Sequence, residues 1–278
     1  MNEKIITTLE FDKIQQRLGE YAITEKGRQK AAALRPATDY ETVKKQIDQT
    51  ENLLDIVRVF GGLPIVNYRD LAPVAKRLRI DADLNQDELA NILLFLGVTN
   101  DVQNFLATQD RLDLTAITEF ADNLQVPAEL YKRLKQSLEL DGTILDTASP
   151  ELKRIRQSIS ATEAAIKKTM DQYLHGNLSK YLSEQIITIR DNRYVVPVKQ
   201  EARSKFGGIV HDESASGQTL FIEPQGVVNQ NNNLQELHAA EKTEIRQILF
   251  ELSNLTRTHL SEILASDKAI SELDFIQS

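Results

Sequence analysis

SPELKRIRQSISATEAAIKKTMDQY, residues Ser149–Tyr173, is the stretch from which the architecture can be worked out. Serine at the N-cap, proline at the first helical position and glutamate in the first turn form a strong helix start. Leu152, Ile155, Ile159, Thr162, Ile166, Thr169 and Tyr173 then step by three and four. That spacing draws a narrow seam, suited to packing along one partner helix rather than burial in a core. His175-Gly176-Asn177 interrupts it, so the helix is about 25 residues, roughly 38 Å at 1.5 Å per residue. After Pro224 a second long pattern runs to about Ala269, with Ile245, Ile248, Leu252 and Leu255 again stepping three and four. By the same rise it approaches about 60 Å. Two such helices predict an antiparallel pair with an insert at its far end.

The insert reads as β. Ile187, Ile189, Tyr194, Val196 and Val198 alternate with polar residues around Asp191-Asn192, two residue types that tolerate positive φ in a tight hairpin turn. Ile209-Val210 and Thr219–Ile222 make a second pair around the tip DESASG. Pro197 removes a ladder donor, which predicts an edge or bulged strand. So small a module cannot bury much by itself and needs the helix ends beside it.

Upstream, short helical patterns alternate with turn signals. Leu9, Ile14 and Leu18 open one; another follows Thr24 as N-cap and stops at Leu34-Arg35-Pro36; a third spans Tyr40 to Phe60 and ends at Gly61-Gly62. Asp70–Leu78, Asn85–Leu106 and Pro127–Glu139 add more, Leu89, Ile92, Leu93 and Leu96 lying at helical spacing. The fold class expected is mainly α: a helical core over residues 1–148, a first long helix over 149–185, a β-module over 186–225 and a returning helix over 226–278.

The chain has 278 residues, no cysteine and no tryptophan, with 41% hydrophobic and 27% charged residues. Such a balance is that of a soluble globular protein. No apolar run reaches the length of a spanning helix, the start MNEKIITTLEFDK lacks the regions of a signal peptide, and the absence of cysteine fits a reducing cytoplasm. Net charge is −8, but Glu151–Lys205 carries eleven Lys/Arg against six Asp/Glu, hence +5, leaving −13 elsewhere. Contact with a polyanion is therefore confined to that segment.

Gly207–Pro224, GGIVHDESASGQTLFIEP, concentrates glycine, serine and a His-Asp pair. It is not a phosphate loop, because Gln218 stands where a lysine must follow Gly217 and Gly208 is too far back. Nor does it read as a hydrolase site: His211 and Asp212 on an extended strand point to opposite faces and cannot both converge on Ser214 or Ser216. His175, His211, His238 and His259 are scattered, so no metal is expected. What remains is contact with phosphate oxygens by Arg190, Arg193, Lys199, Arg203, Lys205, Ser214 and Ser216 and by backbone amides of the tip. Gly207, Gly208, His211, Asp212 and Gly217 shape the hairpin. Five acidic residues between Ile186 and Pro224 balance the five basic ones, so the outcome depends on which side chains share a face. Ordinary strand charges that keep an exposed edge soluble are the alternative.

TLEFDKI (Thr8–Ile14), ITEKGRQKAAALRP (Ile23–Pro36), RDNRYVVPVK (Arg190–Lys199) and the Gly207–Pro224 stretch together resemble the MutS-II family, and the resemblance spans essentially the whole chain. It implies the core–lever–clamp layout of MutS-type proteins, with the β-module as clamp. Proteins of this family continue into an ABC-type ATPase and a C-terminal Smr nuclease domain, and Phe275–Ser278 falls about where the ATPase begins. The resemblance implies homodimers that clamp branched DNA and restrain recombination, or that split collided ribosomes, touching rRNA. ATP and magnesium are expected only with the ATPase, no cofactor in this chain and no membrane. This piece by itself is expected to be a monomer without enzymatic activity. A protein-docking arm that touches no nucleic acid is the competing expectation.

Overall fold

The computed structural model describes residues 8, 10–109 and 112–278; Leu9, expected in the first helical pattern, lies outside them. The fold is mainly helical with one four-stranded antiparallel sheet, as the periodicities require. It divides into two compact units. One contains the described residues up to Leu145 together with Leu249–Ser278, and the other contains Asp146–Ile248.

The first unit is all-helical: α1 (Phe11–Tyr21), α2 (Glu25–Ala33), α3 (Tyr40–Phe60), α4 (Ala72–Arg79), α5 (Gln86–Ala107), α6 (Thr118–Asp122) and α7 (Ala128–Ser137), closed by the chain's last helix, Leu260–Gln277. The helix starts follow local chemistry. Thr24 accepts from the Gly27 N–H, Asp39 from the Thr42 N–H, and Asn85 and Glu88 form a reciprocal capping box. Gly61, at φ 84°, ends α3. Leu89, Ile92, Phe95, Leu96, Val98 and Val102 of α5 are buried. The last helix brings two buried carboxylates to the start of α2. Asp274 accepts from the Ile23 and Thr24 N–H groups and from the Thr24 hydroxyl, at 3.0, 2.7 and 2.6 Å. Asp267 takes the Tyr68 hydroxyl at 2.9 Å and pairs with Lys26, which also reaches Asp70 at 3.5 Å. Burial, and next the Asp267 charge, push the Tyr68 phenol far above its ordinary range. Burial pulls Lys26 down, but hydrogen bonding and the charges of Asp267 and Asp70 outweigh it and hold the ammonium above its usual value. The Ile23–Pro36 motif is thus explained within the core: Gly27 is glycine because a Cβ there sits 2.2 Å from Asp274 Oδ2.

In the second unit, α8 (Pro150–His175) begins as read, with Ser149 accepting from the Leu152 N–H. It is followed by β1 (Thr188–Arg190), β2 (Arg193–Lys199), α9 (Arg203–Phe206), β3 (Ile209–Glu213), β4 (Thr219–Glu223) and α10 (Val228–Thr258). The chain's final helix is then α11. The segment 226–278 is two helices rather than one, broken at His259, and from Leu249 onward it belongs to the first unit. Within the second unit α8 and α10 run antiparallel. Ser149 bonds Glu244, Arg156 bonds Glu241, Asn233 bonds Thr162 and Gln230 bonds Thr169, the numbers falling on one helix as they rise on the other. Ile166, Met170 and Leu174 of α8 and Leu234 of α10 form one buried cluster with Tyr194, Val196, Val198, Phe206, Leu220 and Ile222. The β-module buries its inner face on these helices.

The sheet order is β1-β2-β4-β3. Asp191 and Asn192 both have positive φ, 48° and 58°, as the β1–β2 turn demands. Two expectations are corrected here. Pro197 lies in β2, a central strand, paired with Phe221. The bond from the Gln200 N–H to the Gln218 carbonyl sets the pairing parity. Val196 and Val198 therefore turn their backbone groups to β4 and Pro197 turns away. Pro197 faces beyond the end of β1, where its carbonyl accepts from the Ser183 N–H, so no ladder donor is missed. Strand alternation also fails at His211. Val210 pairs with Ile222 and Asp212 with Phe221, so His211 is the extra residue of a β-bulge.

Candidate nucleic-acid interface

The basic residues of the β-module separate into two groups. Arg190 and Arg193 belong to the first, and both are already paired. Arg190 Nε meets Asp212 Oδ2 at 2.9 Å, and its guanidinium lies over the Phe221 ring, 4.1 Å from the centroid. Arg193 Nη1 meets Glu223 Oε1 at 2.8 Å while its Nη2 donates to Asn232 Oδ1.

Glu223 is fully buried, and that burial organises its surroundings. Its carboxylate takes Arg193, the bulged His211 through Nε2 at 2.6 Å, and Asn231 Nδ2 at 2.9 Å. A buried carboxylate persists only with such partners. Asn231 does a second job. Pro224 ends the strand, so Tyr194 has no residue of β4 opposite it; the Asn231 carboxamide accepts from the Tyr194 N–H at 3.2 Å and donates to its carbonyl at 3.1 Å. One side chain continues the ladder for one residue. Gly208 completes the junction, since a Cβ there would lie 2.2 Å from the Glu223 carbonyl oxygen and its φ is 98°.

Lys199, Arg203 and Lys205 form the second group, and the structure adds Lys180. Lys199 Nζ reaches the Lys180 carbonyl at 3.4 Å. The ammonium groups of Lys180 and Lys205 lie 5.1 and 5.6 Å from the centre of the Tyr181 ring, which packs on the buried cluster. Tyr181 therefore gathers two lysines from segments 25 positions apart. Lys180, Lys199, Arg203 and Lys205 are exposed or half-buried, and none meets a carboxylate within ion-pair distance among the described residues. Sequence reasoning overlooked Lys180 and Tyr181 because they precede the strands. The available signal was the +5 segment, which starts well upstream of the module.

The tip is more self-contained than the sequence implies. The Ser214 N–H bonds the Thr219 carbonyl, the Gly217 N–H bonds the Ser214 carbonyl, and Ser214 Oγ accepts from the Thr219 N–H. Ser216 Oγ stands 3.4 Å from Ser214 Oγ, and Gly217 takes φ 69°. Those two amides serve the turn itself. His211 and Asp212 bond across β3–β4 and to β1 respectively and do not converge on a serine. Among the described residues no group of three or more His, Asp or Glu is placed to hold a metal ion, and no helix is long and apolar enough to cross a membrane.

No family model matches the sequence. Curated relatives do. Endonuclease MutS2 of Lactobacillus acidophilus is 49% identical over 279 residues, and that of Lactobacillus helveticus is 49% identical over 280. Endonuclease MutS2 of Latilactobacillus sakei subsp. sakei is 42% identical over 280 residues. Each match takes in 100% of this chain and 36% of the relative.

Proposed function

Because this chain belongs to the MutS-II family along its whole length, we propose that it is the core, lever and clamp region of a MutS-II-type protein and contacts nucleic-acid backbone through its β-module. The chain spans about 36% of the length of the curated relatives it matches. The endonuclease activity in their names, and an ATPase with ATP and magnesium, belong in this proposal to the remaining length. The Gly207–Pro224 loop does not suit a nucleotide phosphate: Gln218 stands where a lysine is needed and the Gly217 amide is engaged within its own turn.

One observation carries the reading. Lys180 and Lys205 gather at Tyr181 with Lys199 at the Lys180 carbonyl and Arg203 two positions before Lys205, none with a carboxylate partner among the described residues, whereas the neighbouring arginines are neutralised by Asp212 and Glu223. Flexible ammonium groups suit phosphate oxygens and carry no base readout. The substrates in this proposal are branched DNA, whose recombination is restrained, or a stalled, collided ribosome, met through rRNA, by a homodimer in the cytoplasm. Replacing Lys199, Arg203 and Lys205 together by glutamate in the full-length protein is expected to weaken binding to junction DNA or to ribosomes. It should also flatten the dependence on salt by up to about 0.9 logarithmic units per lost phosphate contact with duplex. Unchanged affinity and slope for both ligands would remove these residues from the interface.

A docking arm for a protein partner is the second reading, favoured by Ile186, Ile189 and Ile209, which are 47%, 52% and 45% exposed beside or on the two edge strands. An apolar contact of that kind holds its affinity as salt rises, and backbone contact does not.

A further inference from the structure

Gln49 breaks the buried row of α3. Leu53 and Ile56 follow it at steps of four and three and are fully buried, as a core row requires, whereas Gln49 brings a carboxamide to 6% exposure. Its side chain neither donates nor accepts a hydrogen bond among the described residues. A buried amide without a partner is costly, and a methionine of the same length would fill the place at no such cost. The reason for a glutamine lies in what it faces. Gln49 lines a cavity of about 480 Å³ whose apolar wall is built by Leu18 of α1, Leu34 just beyond α2, Leu54 and Val57 of α3, Phe120 of α6 and Phe275 of α11. The other polar groups of the lining are already engaged. Glu272, its one charged side chain among the described residues, pairs with Lys30 at 2.7 Å. Gln277 Oε1 accepts from the Leu63 N–H, the Thr50 hydroxyl donates to the Gln46 carbonyl, and the Ser278 hydroxyl donates to the Phe275 carbonyl. Gln46 itself is exposed. Gln49 alone stands buried there with donor and acceptor unused, in an apolar enclosure of the size that small-molecule sites have.

We propose that this cavity binds an uncharged, largely apolar small molecule through a cis-amide edge, an N–H beside a C=O, paired with the Gln49 carboxamide. A primary carboxamide offers the same two groups side by side, so the pair closes with two hydrogen bonds, Oε1 accepting and Nε2 donating. The ligand is neutral because a charge would enter an apolar wall that holds no free counter-charge. Lactams and nucleobases both carry this edge, and the edge is what the cavity reads. The site lies in the first unit and does not depend on the nucleic-acid contact proposed for the β-module.

The probes are carbostyril, a lactam on an apolar ring, and thymine methylated at its sugar-bonding nitrogen, each with a control in which the edge nitrogen carries a methyl group. Proton–nitrogen correlation spectra of this chain follow the Gln49 side-chain amide, identified by its disappearance in Gln49→Met. One or both probes should shift that signal saturably with Kd below about 1 mM, and the one that binds identifies a lactam or a nucleobase as the source. Methylating the edge nitrogen should raise Kd at least about tenfold, because Gln49 Oε1 loses its donor. In Gln49→Met, followed by saturation transfer from the protein to the probe, the methylated and unmethylated forms should bind alike. The same variant without ligand should melt about 2–4 °C higher, since the unpaired amide is gone. Leu54→Lys, at a 41% exposed position of the cavity wall, should weaken binding while leaving far-UV circular dichroism unchanged. Absence of saturable binding up to about 1 mM, as from a cavity that holds water alone, overturns the assignment. So does a methylation penalty that persists in Gln49→Met, or a Gln49→Met protein that melts below the parent.

Discussion

Asn231→Ala removes the one side chain that stands in for a missing strand residue, and the magnitude of its effect can be worked from the bonds it makes. Asn231 is 1% exposed, satisfies both backbone groups of Tyr194 and gives a third bond to the buried Glu223 carboxylate. A buried donor or acceptor left without a partner costs about 1–3 kcal/mol, and a hydrogen bond to a charge contributes about 1.5–3 kcal/mol. Three such losses sum to more than is realised, because alanine opens room for water to reach the freed groups. We expect about 3–5 kcal/mol, a large share of a typical domain's stability of about 5–15 kcal/mol. Asn232→Ala is the control, since the Asn232 carboxamide accepts from Arg193 on the exposed side, and it should cost under about 1 kcal/mol. Urea unfolding followed by circular dichroism gives the global number, and hydrogen exchange at the Tyr194 amide gives the local one. At about 1.4 kcal/mol per decade, that amide should exchange at least about a hundredfold faster in the variant. Asn231→Asp sharpens the test. It sets a second carboxylate against Glu223, so the folded form takes up a proton that the unfolded chain does not hold at neutral pH. The folded-state pKa of the carboxylate pair is raised, and the deficit against the parent must shrink as pH falls from 7 toward about 5. Should Asn231→Ala and Asn232→Ala prove equally mild, with Tyr194 exchange unchanged, Asn231 does not complete the ladder.

Gly208→Ala should destabilise by more than about 3 kcal/mol, adding a backbone clash to a strained φ; Gly207→Ala, with φ 72° and open space around it, should cost only about 1–2 kcal/mol. Thermal melts of the pair decide this, and equal shifts would remove the Glu223 carbonyl from the explanation. Gly27→Ala should lower stability although glycine-to-alanine in a helix normally raises it by about 1 kcal/mol, whereas Gly19→Ala, with nothing within 4 Å, should raise it. A stabilised Gly27→Ala protein would mean that Asp274 does not crowd that turn. Lys26 has a folded pKa above its ordinary value of 10.5, so its contribution is fully present below about pH 10.4 and is lost as pH rises through the higher folded value. The stability gap between the parent and Lys26→Met should therefore hold steady near neutral pH and narrow above about pH 10.5; a gap constant into that range would separate Lys26 from Asp267 energetically.

Much of the architecture was legible because it rests on local chemistry. Ser149-Pro150-Glu151 starts a helix wherever it stands, Asp191-Asn192 turns a hairpin because both residues tolerate positive φ, and Gly61 ends α3 for the same reason. The seams of α8 and α10 declared an antiparallel pair, since a heptad stripe needs one partner, and the phosphate loop fell to a single missing lysine. What the tertiary structure decided is how charges and backbone groups from distant segments meet. No spacing rule places Glu223 between Arg193, His211 and Asn231, or sets Lys180 beside Lys199 and Lys205 around Tyr181. Pro197 sits in a central strand because pairing parity turns its missing N–H away from β4, and parity exists only once strands pair. A bulge at His211 overrode the alternation that a free strand would have kept. Local propensity acts within a few residues of its source. Charge pairing and ladder register are fixed only when the chain has folded back on itself.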